Sequence, residues 1–174
     1  MGDAELESAL LALDVAIQTE KDGREFYKRA AENTTDGGGK VLFTSLADDE
    51  LEHLGLLESQ RQALAKEGHW QPGSDAEWRE RPARVEGAPV FSRAALAENV
   101  NAYTSDLSAL RMAFLIEKDA VAFYTKAAAN TEDPGTKEMY QRLVEMEKEH
   151  QRILEEEYEA LANEFWSTMG FEPF

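Results

Sequence analysis

Glu50-Leu51-Glu52-His53 and Glu147-Lys148-Glu149-His150 are one motif met twice, a glutamate followed three positions later by a histidine. Around them, residues 12–58 superpose on residues 109–155 at one constant offset and without a gap. The register lays Glu20-Lys21-Asp22 on Glu117-Lys118-Asp119, Phe26-Tyr27 on Phe123-Tyr124, and Asn33-Thr34 on Asn130-Thr131. Each half therefore supplies one glutamate and, further on, a Glu-x-x-His. Doubling gives four carboxylates and two imidazoles, the set that two metal ions share at the centre of a four-helix bundle.

The flanking residues carry helical periodicity. Leu6, Leu10, Leu13, Ile17, Glu20, Tyr27 and Ala31 fall at steps of three and four, predicting a first helix over 3–32 in which Arg24 is the one polar break. Phe43, Leu46, Glu50, His53, Leu57 and Leu64 do the same over 40–66, after a turn at Gly37-Gly38-Gly39. A third helix is expected over 105–130 on Leu110, Phe114, Glu117, Val121, Tyr124 and Ala128, with Thr104 or Ser105 as N-cap. A turn at Glu132-Asp133-Pro134-Gly135 leads to a fourth over 136–166, striped by Tyr140, Leu143, Glu147, His150, Leu154 and Leu161. Phe26 and Phe123 read as core with no special role.

Residues 67–104 differ in kind. They hold Pro72, Pro82 and Pro89, three of the five prolines, with Trp70 and Trp78 as natural anchors and a short helix expected near 92–102. Two hairpins, 3–66 and 105–166, joined by one long crossover, make an all-α, ferritin-like four-helix bundle, a single domain over 1–174. A connection this long should pack down or meet a partner subunit.

Position on the helix separates ligands from bystanders. Glu50 and His53 share a face, as do Glu147 and His150, because residues three apart differ by only about 60°. Glu52 and Glu149 repeat just as faithfully but lie about 200° round from Glu50 and Glu147, facing solvent or an interface. From the glycine turn, the arms to Glu20 and to Glu50 differ by only about 3 Å along the helices, so the two carboxylates are level. Four unpartnered carboxylates in apolar-stripe positions would cost on the order of several kcal/mol each. Two divalent cations would balance them, and the stripes hold too few basic residues to do so instead. Oxygen-rich coordination with one nitrogen per metal suits iron, with manganese the other choice. Tyr27 and Tyr124, two turns beyond Glu20 and Glu117, either hydrogen-bond a ligating carboxylate across the site or are ordinary core tyrosines. His69 reads as an exposed loop histidine. Lys21-Asp22 and Lys118-Asp119 point off the ligand face, towards salt bridges between hairpins or subunits.

Composition narrows the partners. A net charge of −17 argues against nucleic acid and anionic membranes. With no cysteine, thiol catalysis, disulfides and thiolate metal sites are excluded. Asp14 breaks the apolar run near the acidic N-terminus, no signal peptide is read, and a cytoplasmic location is expected.

At Glu117-Lys118-x-Ala120-x-x-Phe123-Tyr124, its mate Glu20-Lys21-x-x-x-x-Phe26-Tyr27 and the two Glu-x-x-His motifs, the chain resembles the rubrerythrin-like branch of the ferritin-like di-iron proteins. The resemblance runs from about Glu5 to Trp166. It implies two irons bridged by Glu50 and Glu147, with Glu20 and Glu117 terminal and His53 and His150 one per metal. It also implies reduction of hydrogen peroxide or dioxygen, or, as in related ferritin-like proteins, oxidation of ferrous iron. Full-length rubrerythrins add a cysteine-ligated electron-transfer module, and this chain has no cysteine, so its electron donor is unidentified. They also carry a glutamate three residues after the third-helix ligand, where this chain has Ala120 and, in the repeat, Gly23. Small residues there leave room for an exogenous ligand. The leading expectation is a di-iron oxidoreductase acting on peroxide or dioxygen, in a homo-oligomer, most simply a dimer. The alternatives are a ferroxidase or iron-binding protein, and a non-enzymatic interaction module with a structural or empty site, whose working surface would be the crossover and residues 171–174.

Overall fold

A computed structural model describes residues 2–70 and 100–168. It has four long helices, α1 (Asp3–Asn33), α2 (Gly37–Glu67), α3 (Val100–Asn130) and α4 (Pro134–Thr168), and no strand among the described residues. The chain is the all-α four-helix bundle its periodicity predicts. Contacts are dense within the α1–α2 and α3–α4 hairpins, while α1 and α3 touch sparingly. The space between the hairpins is filled by side chains reaching inward.

The helix boundaries correct the expected ones where capping chemistry outweighs composition. Three glycines were expected to hold a turn open, yet α2 begins at Gly37. Asp36 is the reason: its carboxylate accepts from Gly38 N at 2.8 Å and Gly39 N at 3.0 Å, satisfying two of the free N–H groups of the first turn. Asp133 does the same for α4, accepting from Thr136 N and Oγ1, each at 2.7 Å, with Pro134 in the first helical turn, where its missing N–H is no loss. At its C-terminus α2 stops on Gly68, whose φ of 72° is left-handed and needs no Cβ to be accommodated. α3 starts at Val100, so Thr104 and Ser105 lie inside the helix and neither is its N-cap. Residues 71–99, with Trp78 and most of the expected short helix, fall outside the described residues, as do residues 171–174.

Two apolar clusters sandwich a polar middle layer. One gathers Leu13, Ile17, Leu57, Leu64, Tyr124, Tyr140 and Leu143; the other Tyr27, Leu42, Phe43, Leu46, Leu110, Leu154 and Leu161. The repeat survives in the packing: Tyr27 stacks on Phe43, and their mates Tyr124 and Tyr140 stack likewise. Phe123 departs from its expected core role and is 42% exposed on the α1–α3 side, while Phe26 is partly buried against the second cluster. No helix among the described residues is long and apolar enough to cross a membrane.

Candidate metal centre

Between the clusters all four helices turn a carboxylate inward. Glu20 from α1, Glu50 from α2, Glu117 from α3 and Glu147 from α4 are 2–3% exposed, and His53 and His150 are 6% and 5% exposed. Buried charges at such density occur where something pairs them. Ligand atoms of Glu20, Glu50, His53 and Glu147 lie within 4.8 Å of one another, and so do those of Glu50, Glu117, Glu147 and His150. Glu50 and Glu147 belong to both groups. The structure thus brings together all six residues that the repeat singles out.

Imidazole orientation follows from Glu-x-x-His on a helix. His53 turns Nδ1 to Glu20 Oε2 and Glu50 Oε2, each at 3.1 Å. His150 turns Nδ1 to Glu147, Glu50 and Glu117 at 3.3, 3.5 and 3.6 Å. The two rings stack with centroids 5.4 Å apart. Tyr124 Oη donates to Glu20 Oε1 at 2.6 Å, and Tyr27 Oη donates to Glu117 Oε1. Each phenol therefore crosses to the other hairpin and holds its non-shared carboxylate, and both tyrosines are fully buried.

The electrostatics describe a site that retains protons. Burial, with the Glu50 charge next, pushes Glu20 up to about 7. Glu147 is raised well above the usual carboxylate range by burial and then by Glu20, Glu117 and Glu50. Burial would raise Glu50 as well, but the adjacent His150 and His53 imidazoles outweigh it and hold this carboxyl low. For His53, burial opposes the charged form, yet Glu20 and Glu50 outweigh it and lift the imidazole to about 9. His150 is lifted in the same way by Glu117, Glu147 and Glu50. Burial first and neighbouring carboxylates second raise both phenols, so they stay donors.

Two atoms of the site test its fit to metal. Glu147 Oε2 and His150 Nδ1 are buried without a hydrogen-bond partner although they lie 3.3 Å apart. Buried polar atoms left without a partner and converging on one point suit a cation. Arg24, the one basic competitor on the stripes, makes no ion pair with a site carboxylate among the described residues, and its Nε is buried and unpartnered.

Other expectations resolve locally. Glu52 is exposed, and Glu149 is half-buried and paired with Arg152. His69 is exposed beside Glu67. Lys21 pairs with Glu58, at 3.5 Å, inside one hairpin rather than between hairpins, because its position faces α2. Trp70 does anchor: its indole donates to Asp133 Oδ2 at 2.9 Å and packs over Gly135. Asp49, passed over in the sequence, stands 3.9 Å from His150 Nε2. The signal for it was a break in the repeat, since its mate is Met146.

Two helical hairpins enclosing four buried carboxylates and two imidazoles define a carboxylate–histidine metal-binding bundle. The sequence model of the Rubrerythrin family matches residues 12–158, and the chain belongs to that family, whose members typically bind iron. The match spans both halves of the repeat and all six inward-facing residues. No curated protein and no solved structure matches the chain.

Proposed function

We propose that the chain is a di-iron oxidoreductase that reduces hydrogen peroxide or dioxygen. Glu20 and His53 would hold one metal and Glu117 and His150 the other, with Glu50 and Glu147, common to both groups of four, between them. The observation that carries this reading is that sharing, together with the unpartnered Glu147 Oε2 and His150 Nδ1. When bound, a redox-active iron pair supplies two electrons, which with two protons convert peroxide to two waters. An external donor, unidentified, restores them.

The chain's own residues do the rest. Tyr27 and Tyr124 each hold one oxygen, of Glu117 and Glu20 respectively, and Glu20 turns its other oxygen to His53. Leu13, Leu46, Leu110 and Leu143, all fully buried, keep bulk water from both ends of the polar layer. Gly23 leaves room beside Glu50: a Cβ there would meet Glu50 Oε1 at 3.5 Å, so the glycine places no side chain against that carboxylate. Manganese would fit the same donors. The reading takes the whole chain as one domain that works as a homo-oligomer, most simply a dimer, in the cytoplasm.

The test is anaerobic loading with ferrous iron, elemental analysis, then one equivalent of peroxide or dioxygen with ferric absorption followed by stopped flow. Two irons per chain and rapid oxidation are expected, with Glu147→Gln reducing uptake below one iron. Fewer than two irons in the unaltered chain, or ferrous iron untouched by both oxidants, defeats the proposal. Gly23 and Ala120, which offer no further carboxylate, favour a ferroxidase as the second reading. Oxidation by dioxygen much faster than by peroxide, with ferric iron then leaving the site, would select it.

A further inference from the structure

The six inward residues obey the repeat, but one carboxylate beside them does not. Asp49 immediately precedes the shared Glu50 on α2, and its mate on α4 is Met146. Its Oδ2 lies 3.9 Å from Nε2 of His150, on the ring edge opposite Nδ1 and in the other hairpin. A small side-chain rotation closes that gap to a hydrogen bond, and the Asp49 side chain is only 19% exposed. For His53 the acidic neighbours within 4 Å among the described residues are Glu20 and Glu50, both on Nδ1. Where symmetry would place a second aspartate stands the buried Met146, whose thioether is a weak acceptor.

A histidine that binds metal through Nδ1 must keep its proton on Nε2. A carboxylate accepting from that N–H fixes the tautomer, aims the ring and makes Nδ1 a better donor to the metal. Outer partners of this kind are worth about 10- to 100-fold in metal affinity. Among the described residues His150 has a carboxylate within reach of that N–H and His53 has none. We infer that Asp49 is a positioning residue for His150, and that it makes the two metal positions unequal, the Glu117–His150 position binding a divalent cation more tightly and filling first. The inference rests on the two-metal reading above.

The experiment is titration of the metal-free full chain with cobalt(II), read by visible ligand-field absorption and by competition with a chelator of known affinity. The unaltered chain should fill in two steps separated by about 10- to 100-fold. The first step should survive in His53→Ala and vanish in His150→Ala. Asp49→Asn should weaken the first step until the two merge, with helix content by circular dichroism unchanged, and Asp49→Glu should partly restore the separation. Met146→Asp, the reciprocal change, should tighten the second step. Two cobalt ions binding with equal affinity to the unaltered chain overturns the inference and leaves the two-metal reading standing. Separated steps that persist in Asp49→Asn also overturn it. A chain that binds fewer than two cobalt ions overturns both.

Discussion

In the first hairpin the chain turns through Thr34-Thr35-Asp36 into Gly37, Gly38 and Gly39; in the second it turns through Thr131-Glu132-Asp133 into Pro134, Gly135 and Thr136. The threonine, the aspartate and the middle glycine are common, and in both turns the aspartate caps the following helix. Deeper in the bundle, the positions facing the opposite hairpin are the same: Glu20 and Glu117, Tyr27 and Tyr124, Glu50 and Glu147, His53 and His150. Beside them the repeat sets Gly23 against Ala120, Arg24 against Val121, and Asp49 against Met146. The two hairpins keep identity where a side chain must meet its counterpart across the centre, or where a backbone N–H must be capped. Identity is not confined to those places, since Lys21-Asp22 recurs as Lys118-Asp119 although Lys21 pairs within its own hairpin. A near-symmetric ligand set is thus held on asymmetric surroundings, and the difference between the halves is measurable.

The largest expected difference is set by pH. In the metal-free site Glu20 is raised to about 7 and His53 to about 9, so both hold protons that the unfolded chain would already have released. A group whose pKa is higher in the fold favours folding at low pH, and that stability is lost as pH rises through its folded value. Stability of the metal-free chain should therefore fall from about pH 4.5 to 7 through Glu20 and from about pH 6.5 to 9 through His53. Metal uptake should run the other way, since a cation must displace those protons, strengthening about tenfold per pH unit for each proton displaced. Thermal melts with and without cobalt(II) at several pH values test this. Parallel trends would show that metal and protons do not compete for the same atoms.

The tyrosines test whether the halves are alike in energy as well as in geometry. Tyr27→Phe removes the donor from Glu117, and Tyr124→Phe removes it from Glu20. Each leaves a buried carboxylate short of a partner, at about 1–3 kcal/mol, or a fall in Tm of about 2–4 °C per kcal/mol. Denaturant unfolding of both variants should give losses within about 1 kcal/mol of each other. Unequal losses would place the dominant hairpin-to-hairpin tie in one half.

Most of the centre was legible because a gapless duplication lets each half check the other. A lone Glu50-x-x-His53 would be a common surface pattern; its recurrence at Glu147 and His150, on apolar stripes, makes burial the economical reading. What the sequence concealed follows from physics that repeats do not report. Asp49 escapes a search for matched pairs because the histidine nearest it lies across the hairpins and its mate differs. The start of α2 at Gly37 is hidden because propensity disfavours glycine, while the cap that overrides it comes from one residue upstream. Phe123 reads as core from its spacing, but the spacing does not reveal how sparingly α1 and α3 meet.

The turns should give effects of opposite sign, and the smallest of all comes from the first. Gly37, at the start of α2, has open space where a Cβ would stand and ordinary helical backbone, so Gly37→Ala should stabilise by about 0.4–1 kcal/mol through the unfolded chain. At Gly135 a Cβ would fall inside the contact radius of the Trp70 five-membered ring. Gly135→Ala must push the indole off its seat and break its hydrogen bond to Asp133, costing about 1–3 kcal/mol. Tryptophan emission should shift to the red in Gly135→Ala and stay put in Gly37→Ala. If both variants stabilise, Trp70 is not held against the second turn, and the two turns differ in composition without differing in load. If Gly135→Ala alone destabilises, the second turn is where the end of α2 is fastened to the opposite hairpin, and Gly37 in the first turn is free to vary because Asp36 caps that helix start.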